Sequence, residues 1–137
     1  MSDVLIDDSS LILDTAEAAG DSASMKWVSC IIRPESLDAV KDALSQLHVV
    51  GGMMITDVRG FGRQKGSTEH YRGESYVVRF LPKVRIDIAV QAEDVEAVLS
   101  AVRSAAQSGQ VGDGKAFITG IQGALRIRTG DRGASAL

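Results

Sequence analysis

Apolar positions recur with two different periods along this chain, and the two alternate. Residues 26–33 are near-continuously apolar at Trp27, Val28, Ile31 and Ile32, the pattern of a buried strand. Pro34 ends that run, and Ser36 stands where the N-cap of a following helix belongs. Leu37, Val40, Leu44 and Leu47 then recur at spacings of three and four, which places them on one helical face. Gly51-Gly52 breaks the chain, and residues 53–59 read as a second strand. Residues 61–75 are polar and glycine-rich and carry no hydrophobic period. Residues 76–90 are strand-like again, interrupted at Pro82, and Val95, Val98, Leu99 and Val102 mark a second helix that closes near Gly109. Residues 116–121 and 124–127 supply the final strands. The order β-α-β-β-α-β predicts an α+β, ferredoxin-like domain. Two helices cover one sheet face, and the other is too apolar to face water, which predicts an oligomer that packs sheets together.

Composition limits what such a domain can be. The chain has 137 residues, 45% of them hydrophobic and 24% charged, the profile of one globular domain with a tail. No apolar run approaches the roughly 18 residues of a membrane span, so direct membrane insertion is not expected. A lone cysteine, Cys30, and the absence of any Cys/His cluster point to a reducing, cytoplasmic setting without a structural zinc. The net charge of −3 conceals a division. Residues 1–24 contain Asp3, Asp7, Asp8, Asp14, Glu17 and Asp21 and no base, leaving twelve acids against fifteen bases in the rest. This acidic extension ends in Gly20-Asp21-Ser22-Ala23-Ser24, a linker composition, and its content predicts disorder. The domain proper then runs over 25–137.

Three stretches carry unusual chemistry. Between the second and third strands, Arg59, Arg63, Lys65, Arg72, Arg79 and Lys83 face only Glu69 and Glu74, and loops of that length are usually functional. Gly109-Gln110-Val111-Gly112-Asp113-Gly114-Lys115-Ala116 follows the G-x-x-x-x-G-K pattern but ends in Ala116, which lacks the magnesium-binding hydroxyl. It also lies between a helix and a strand in the reverse of the usual order, so a P-loop hydrolase is rejected. Its glycines allow main-chain N–H groups to approach an anion, although a plain helix-to-strand turn accounts for them equally well. Third, Arg126-Ile127-Arg128-Thr129-Gly130-Asp131, read as a strand, places both guanidiniums on one face and Ile127 in the core. Paired arginines suit a polyphosphate, and a solvated edge strand is the alternative.

Together the segments Gly60-Phe61-Gly62-Arg63-Gln64-Lys65-Gly66, Tyr71-Arg72-Gly73-Glu74-Ser75-Tyr76, Phe80-Leu81-Pro82-Lys83-Val84, Gly112-Asp113-Gly114-Lys115 and Arg126-Ile127-Arg128-Thr129-Gly130 resemble the PII nitrogen-regulatory signal proteins. The resemblance covers residues 25 to about 131. It implies a homotrimer of ferredoxin-like subunits that binds ATP or ADP in the clefts between neighbours, and 2-oxoglutarate together with Mg-ATP. It makes residues 61–75 the T-loop that docks on partners such as an ammonium channel or nitrogen-metabolism enzymes. Carried over by position, Gly60, Gly62, Arg63, Gly112, Asp113, Gly114 and Lys115 serve the nucleotide, with Arg126 and Arg128 joining from a neighbouring subunit. Gln64 serves the magnesium ion, and Gln64, Lys65, Gly66 and Lys83 serve 2-oxoglutarate. Tyr76 matches the nucleotidylated tyrosine, with Glu74-Ser75 before it where Ala-Glu is usual. Met54 stands where a threonine commonly meets the adenine, and Asp87 where a glutamate is usual.

The resemblance implies a regulatory protein with no catalytic residues. A nucleotide hydrolase is the competing class, but no His or carboxylate base accompanies the phosphate residues: His48 follows the first helix and His70 lies in the long loop. A nucleic-acid binder using the basic loop is opposed by the acidic balance and by an aromatic content of 4%. Within the family, the alternative is a specialised adenylate sensor that does not respond to 2-oxoglutarate.

The acidic extension generates the first prediction. A chain beginning at Met25 should keep its oligomeric mass and its thermal midpoint, because residues 1–24 bury too little apolar surface to offset their ordering. A midpoint lowered by several degrees would instead show that Leu11-Ile12-Leu13 docks on the domain.

Overall fold

The computed structural model describes residues 24–61, 70–71, 74–75 and 80–137. Strand β1 (Met25–Ile32) leads through a 3-10 turn to helix α1 (Leu37–Ser45) and then to β2 (Met54–Gly60). Two-residue strands β3 (His70–Tyr71) and β4 (Glu74–Ser75) pair as a small ribbon within the 61–75 stretch, which the hydrophobic pattern does not predict. Strand β5 (Leu81–Gln91), helix α2 (Val95–Ala106) and strand β6 (Gly114–Gly120) complete the domain.

The main sheet has the order β2-β5-β1-β6, antiparallel at every pairing. Each helix therefore joins two parallel strands across one antiparallel strand, and this pair of split βαβ units is the ferredoxin-like arrangement. The alternation in β5 explains the packing. Val84, Ile86, Ile88 and Val90 are buried on one face and meet Val28, Cys30 and Ile32 of β1. Helix α1 adds Val40 and Leu44, and α2 adds Val98 and Val102, while Leu37, Leu47, Val95 and Leu99 pack around them. Burying each such side chain contributes about 1.5–3 kcal/mol. Cys30 belongs to this core, where burial, and then the Asp87 carboxylate, push its thiol up to about 11, so it is an inert hydrophobe.

On the opposite face, Met54, Asp87, Ser29 and Phe117 lie side by side across four strands. Asp87 is buried and accepts hydrogen bonds from the Ser29 hydroxyl and from Arg85 Nε, the latter at 2.8 Å. Met54 and Phe117 at the two ends of the row are exposed. This face thus combines exposed apolar ends with a fully partnered polar centre.

Several expectations need correction. Residues 124–127 do not form a strand. Only Leu125 bridges Arg132, and the chain between them turns, with Gly130 N–H donating to the Arg126 carbonyl at 2.7 Å. Gly130 takes φ 78° and the Thr129 hydroxyl bonds the Asp131 carboxylate at 2.8 Å, so turn chemistry overrides a four-residue alternation. Ile127 is 94% exposed rather than in the core. Pro82 does not interrupt its strand; it lies within β5 opposite Arg59, near the strand's start. Ser36 occupies the N-cap position of α1 but makes no side-chain cap, because the 3-10 turn Pro34–Ser36 leads directly into the helix. The acidic extension up to residue 23 lies outside the described residues, as does most of 61–75.

Candidate functional site

Helix α2 stops at Ala106, and the chain must turn sharply to enter β6. Gly109, Gly112 and Gly114 take φ of 88°, 102° and 118°, a backbone region that side chains rarely tolerate. At Gly114 the requirement is absolute, since a Cβ there would lie 1.9 Å from the Ile31 carbonyl oxygen. The Asp113 carboxylate closes the turn by accepting from Ser108 N–H at 2.7 Å, Gly109 N–H at 2.9 Å and the Ser108 hydroxyl. The Ser108 hydroxyl, its N–H, the Gly109 N–H and the nearby Arg33 guanidinium together hold the Asp113 carboxyl below its ordinary pKa.

Two cations reach this loop from the sheet. Arg33 directly follows β1 and precedes Pro34, a context that keeps its backbone extended, at φ −68° and ψ 145°. The strand direction therefore continues one residue past the sheet. Its Nε donates to the Gly112 carbonyl at 3.1 Å and its Nη2 to the Val111 carbonyl at 2.7 Å, while Nη1 lies 3.5 Å from the Asp113 carboxylate. Lys83 of β5 donates its Nζ to the same Gly112 carbonyl at 3.1 Å. Partial burial lowers the Lys83 pKa, as does the Arg33 charge, against the opposing influence of Glu35 and Asp113.

Beside the loop lies a cleft of about 840 Å³, within the range of small-molecule sites. Its walls include Gly60 and Phe61 at the end of β2, Lys83, Gly112, Asp113, Gly114 and Lys115, with Ile31 and Phe117 as the apolar floor. Phe61 and Phe80 meet edge-to-face, with ring centroids 5.2 Å apart, where the chain leaves β2 and where it rejoins β5. The fold thus brings six of the residues singled out in the sequence to one place: Gly60, Lys83, Gly112, Asp113, Gly114 and Lys115. Asp113 is turned to a structural task within the loop. Arg126 and Arg128 do not line this cleft. Arg126 Nη2 donates to the Leu137 carbonyl at 2.9 Å and its Nη1 lies 3.4 Å from Asp131, while Arg128 is exposed. Gly62, Arg63, Gln64, Lys65, Gly66 and Tyr76 lie outside the described residues. Among the described residues no group of His, Cys, Asp and Glu could hold a metal ion. No described helix is long and apolar enough to cross a membrane. Sequence reasoning missed Arg33 and Ser108. The available signals were an arginine between a buried strand and a proline, and a Ser/Asp pair bracketing a glycine cluster.

A ferredoxin-like domain with a glycine-built, cation-lined cleft at the foot of a long inter-strand excursion defines a small-ligand-binding class. Comparison with known proteins narrows it. The family model described as Nitrogen regulatory protein P-II matches residues 25–131. The chain is 49% identical over 113 residues to the nitrogen regulatory protein P-II of Rhizobium meliloti, and 50% identical to that of Rhodospirillum rubrum. Each alignment covers 82% of this chain and 100% of the relative. A solved structure of Arabidopsis thaliana PII bound to citrate superposes with a TM-score of 0.68 at 32% identity, covering 83% of this chain and 92% of that one. The chain belongs to the nitrogen regulatory protein P-II family. It is accordingly a signalling protein, not an enzyme, in a family that acts through partner proteins.

The contrast between two glycines tests the loop's construction. Gly114→Ala should destabilise the domain by more than the about 1–3 kcal/mol of a strained backbone alone, because the clash is with main-chain atoms of β1. Gly109→Ala, whose added methyl meets open space, should cost only the strain. Urea unfolding of both variants measures the difference, and equal midpoints would refute it.

Proposed function

We propose that this protein senses ATP or ADP together with 2-oxoglutarate, and regulates nitrogen-metabolism partners through residues 61–75. The observation that carries the reading is that Lys83, the carboxylate-binding candidate, and Gly112, Gly114 and Lys115, the phosphate-binding candidates, line one cleft at the root of that segment. The cleft fits a polyphosphate. Clustered glycines let a ligand approach the main chain, and the Lys115 ammonium opposes its charge. The apolar floor of Ile31 and Phe117 suits a base better than solvent.

Arg126 and Arg128 serve the nucleotide from a second copy, in a homotrimer whose sheets pack through the Met54–Phe117 face. Gln64 offers a neutral oxygen to a magnesium ion carried by the phosphates, and no protein carboxylate is needed for it. Lys83 offers a compact charge to the distal carboxylate of 2-oxoglutarate, with Lys65 and Gly66 completing that site. That a related plant PII is described as bound to citrate, also a polycarboxylate, supports a carboxylate effector. Lys83 donates to the Gly112 carbonyl and keeps two further N–H donors, so an effector carboxylate held by its ammonium lies beside the same loop. The two ligands are then coupled, and each alters the other's affinity by the same factor. A partner such as an ammonium channel or a nitrogen-metabolism enzyme reads the outcome at the T-loop, and Tyr76 is the position for a nucleotidyl modification. The cytoplasm is the compartment that supplies these ligands.

Calorimetry tests the reading. In Lys83→Ala, 2-oxoglutarate binding in the presence of Mg-ATP should weaken roughly 10- to 100-fold, the loss of one charge-assisted contact of about 1.5–3 kcal/mol. Nucleotide affinity should change far less. Equal 2-oxoglutarate binding with ADP and with Mg-ATP, or no loss in Lys83→Ala, would contradict the coupled site, and no 2-oxoglutarate binding in the parent chain would leave a sensor of adenylates alone.

A further inference from the structure

The contacts of Arg33 all converge on one loop. Its guanidinium reaches the Val111 and Gly112 carbonyls, the Ser108 hydroxyl at 3.4 Å and the Asp113 carboxylate, and none of its hydrogen bonds goes to a helix or to the core. A trans peptide unit points its C=O and its N–H in opposite directions. Fixing the Val111 and Gly112 carbonyls on Arg33 therefore turns the N–H groups of Gly112 and Asp113 away from it. Among the described residues the Gly112 N–H takes no backbone acceptor, and the Asp113 N–H makes no more than the weak contact of the 110–113 turn. Two successive N–H groups presented on one side of a glycine-rich turn form the concavity that main-chain anion sites use.

We propose that Arg33 is the positioning residue of the phosphate-facing loop: its planar fork sets the orientation of the 111–113 peptides and so presents their N–H groups to an anionic ligand. This rests on the nucleotide reading above. Arg33 acts through main-chain groups of the loop and does not itself touch the ligand. A fork is needed because the two carbonyls are gripped at once, by Nε and Nη2, a geometry that an ammonium on a flexible stem does not reproduce. Lys83 backs up one of them, Gly112, so the Val111 peptide is the one that depends on Arg33 alone.

The test uses the full chain with Arg33→Gln and Arg33→Lys. It reads ATP, ADP and adenosine binding by calorimetry, and amide hydrogen exchange at residues 109–113. Arg33→Gln should exchange faster at 109–113 and bind ATP and ADP roughly 10-fold more weakly, while adenosine binding stays at the parent value. Arg33→Lys keeps the charge and should recover only part of the ATP affinity. Two results would overturn the proposal: parent-like exchange and ATP binding in Arg33→Gln, or full recovery in Arg33→Lys, which would assign the effect to charge alone. If the parent chain shows no ATP affinity, the nucleotide reading fails by itself, and the exchange rates still decide whether Arg33 orders the loop. Should Arg33→Gln fail to fold, exchange and binding in Arg33→Lys decide the same question.

Discussion

A single carbonyl oxygen, that of Gly112, accepts hydrogen bonds from two cations, one directly after strand β1 and one in strand β5. Arg33 arrives from the end of β1 and Lys83 from β5, each at 3.1 Å. One lies in a central strand and the other directly follows a central strand, so the loop between α2 and β6 inherits the rigidity of the core below it. Without that grip, a seven-residue connection containing glycines at 109 and 112 would have wide conformational freedom. Asp113 completes the arrangement from within, and its lowered pKa reflects the donors gathered around it. The shape of the cleft, the direction of its N–H groups and the environment of Lys83 all follow from this junction.

The same junction joins the side chain proposed for the effector to the loop proposed for the nucleotide. Lys83 faces the cleft and also holds the loop, so an anion bound to its ammonium sits beside the peptides proposed to face phosphate. On that proposal no long-range pathway is required, because the two proposed roles meet at one oxygen atom. Phe61, which lines the same cleft, meets Phe80 edge-to-face where the chain leaves β2 and returns to β5.

The fold was largely legible in the sequence because its signals are long and periodic. Residues 84–90 alternate cleanly, and both helices carry their apolar stripe at spacings of three and four; the structure buries those stripes. Short segments misled. Residues 124–127 offered too few positions for alternation to mean anything, and Thr129-Gly130-Asp131 decided the local conformation instead. In the site, the glycine cluster and Lys115 were visible as spacing, and Lys83 was visible through family resemblance. Arg33 was not, because its partners are main-chain carbonyls 78 and 79 residues away, and side-chain-to-backbone contacts over that distance leave no periodic trace. The family resemblance assigns Asp113 to the nucleotide, and the local geometry adds what spacing does not reveal, that its carboxylate faces the loop's own donors.

A second, smaller cleft of about 420 Å³ lies on the other side of the Asp113–Lys115 segment, lined by Ile32, Leu99, Val102 and Ala106 with Arg103 at its rim. It shares Asp113, Gly114 and Lys115 with the first, so substitution of those residues cannot say which cleft a nucleotide enters. Amide chemical-shift mapping can. Titration of the isotopically labelled full chain with Mg-ATP should shift the amides of Gly60, Phe61, Gly112 and Asp113 first and most. Shifts centred instead on Leu99, Val102, Arg103 and Ala106, with Gly60 and Phe61 unmoved, would contradict a nucleotide site built on the Gly112 junction.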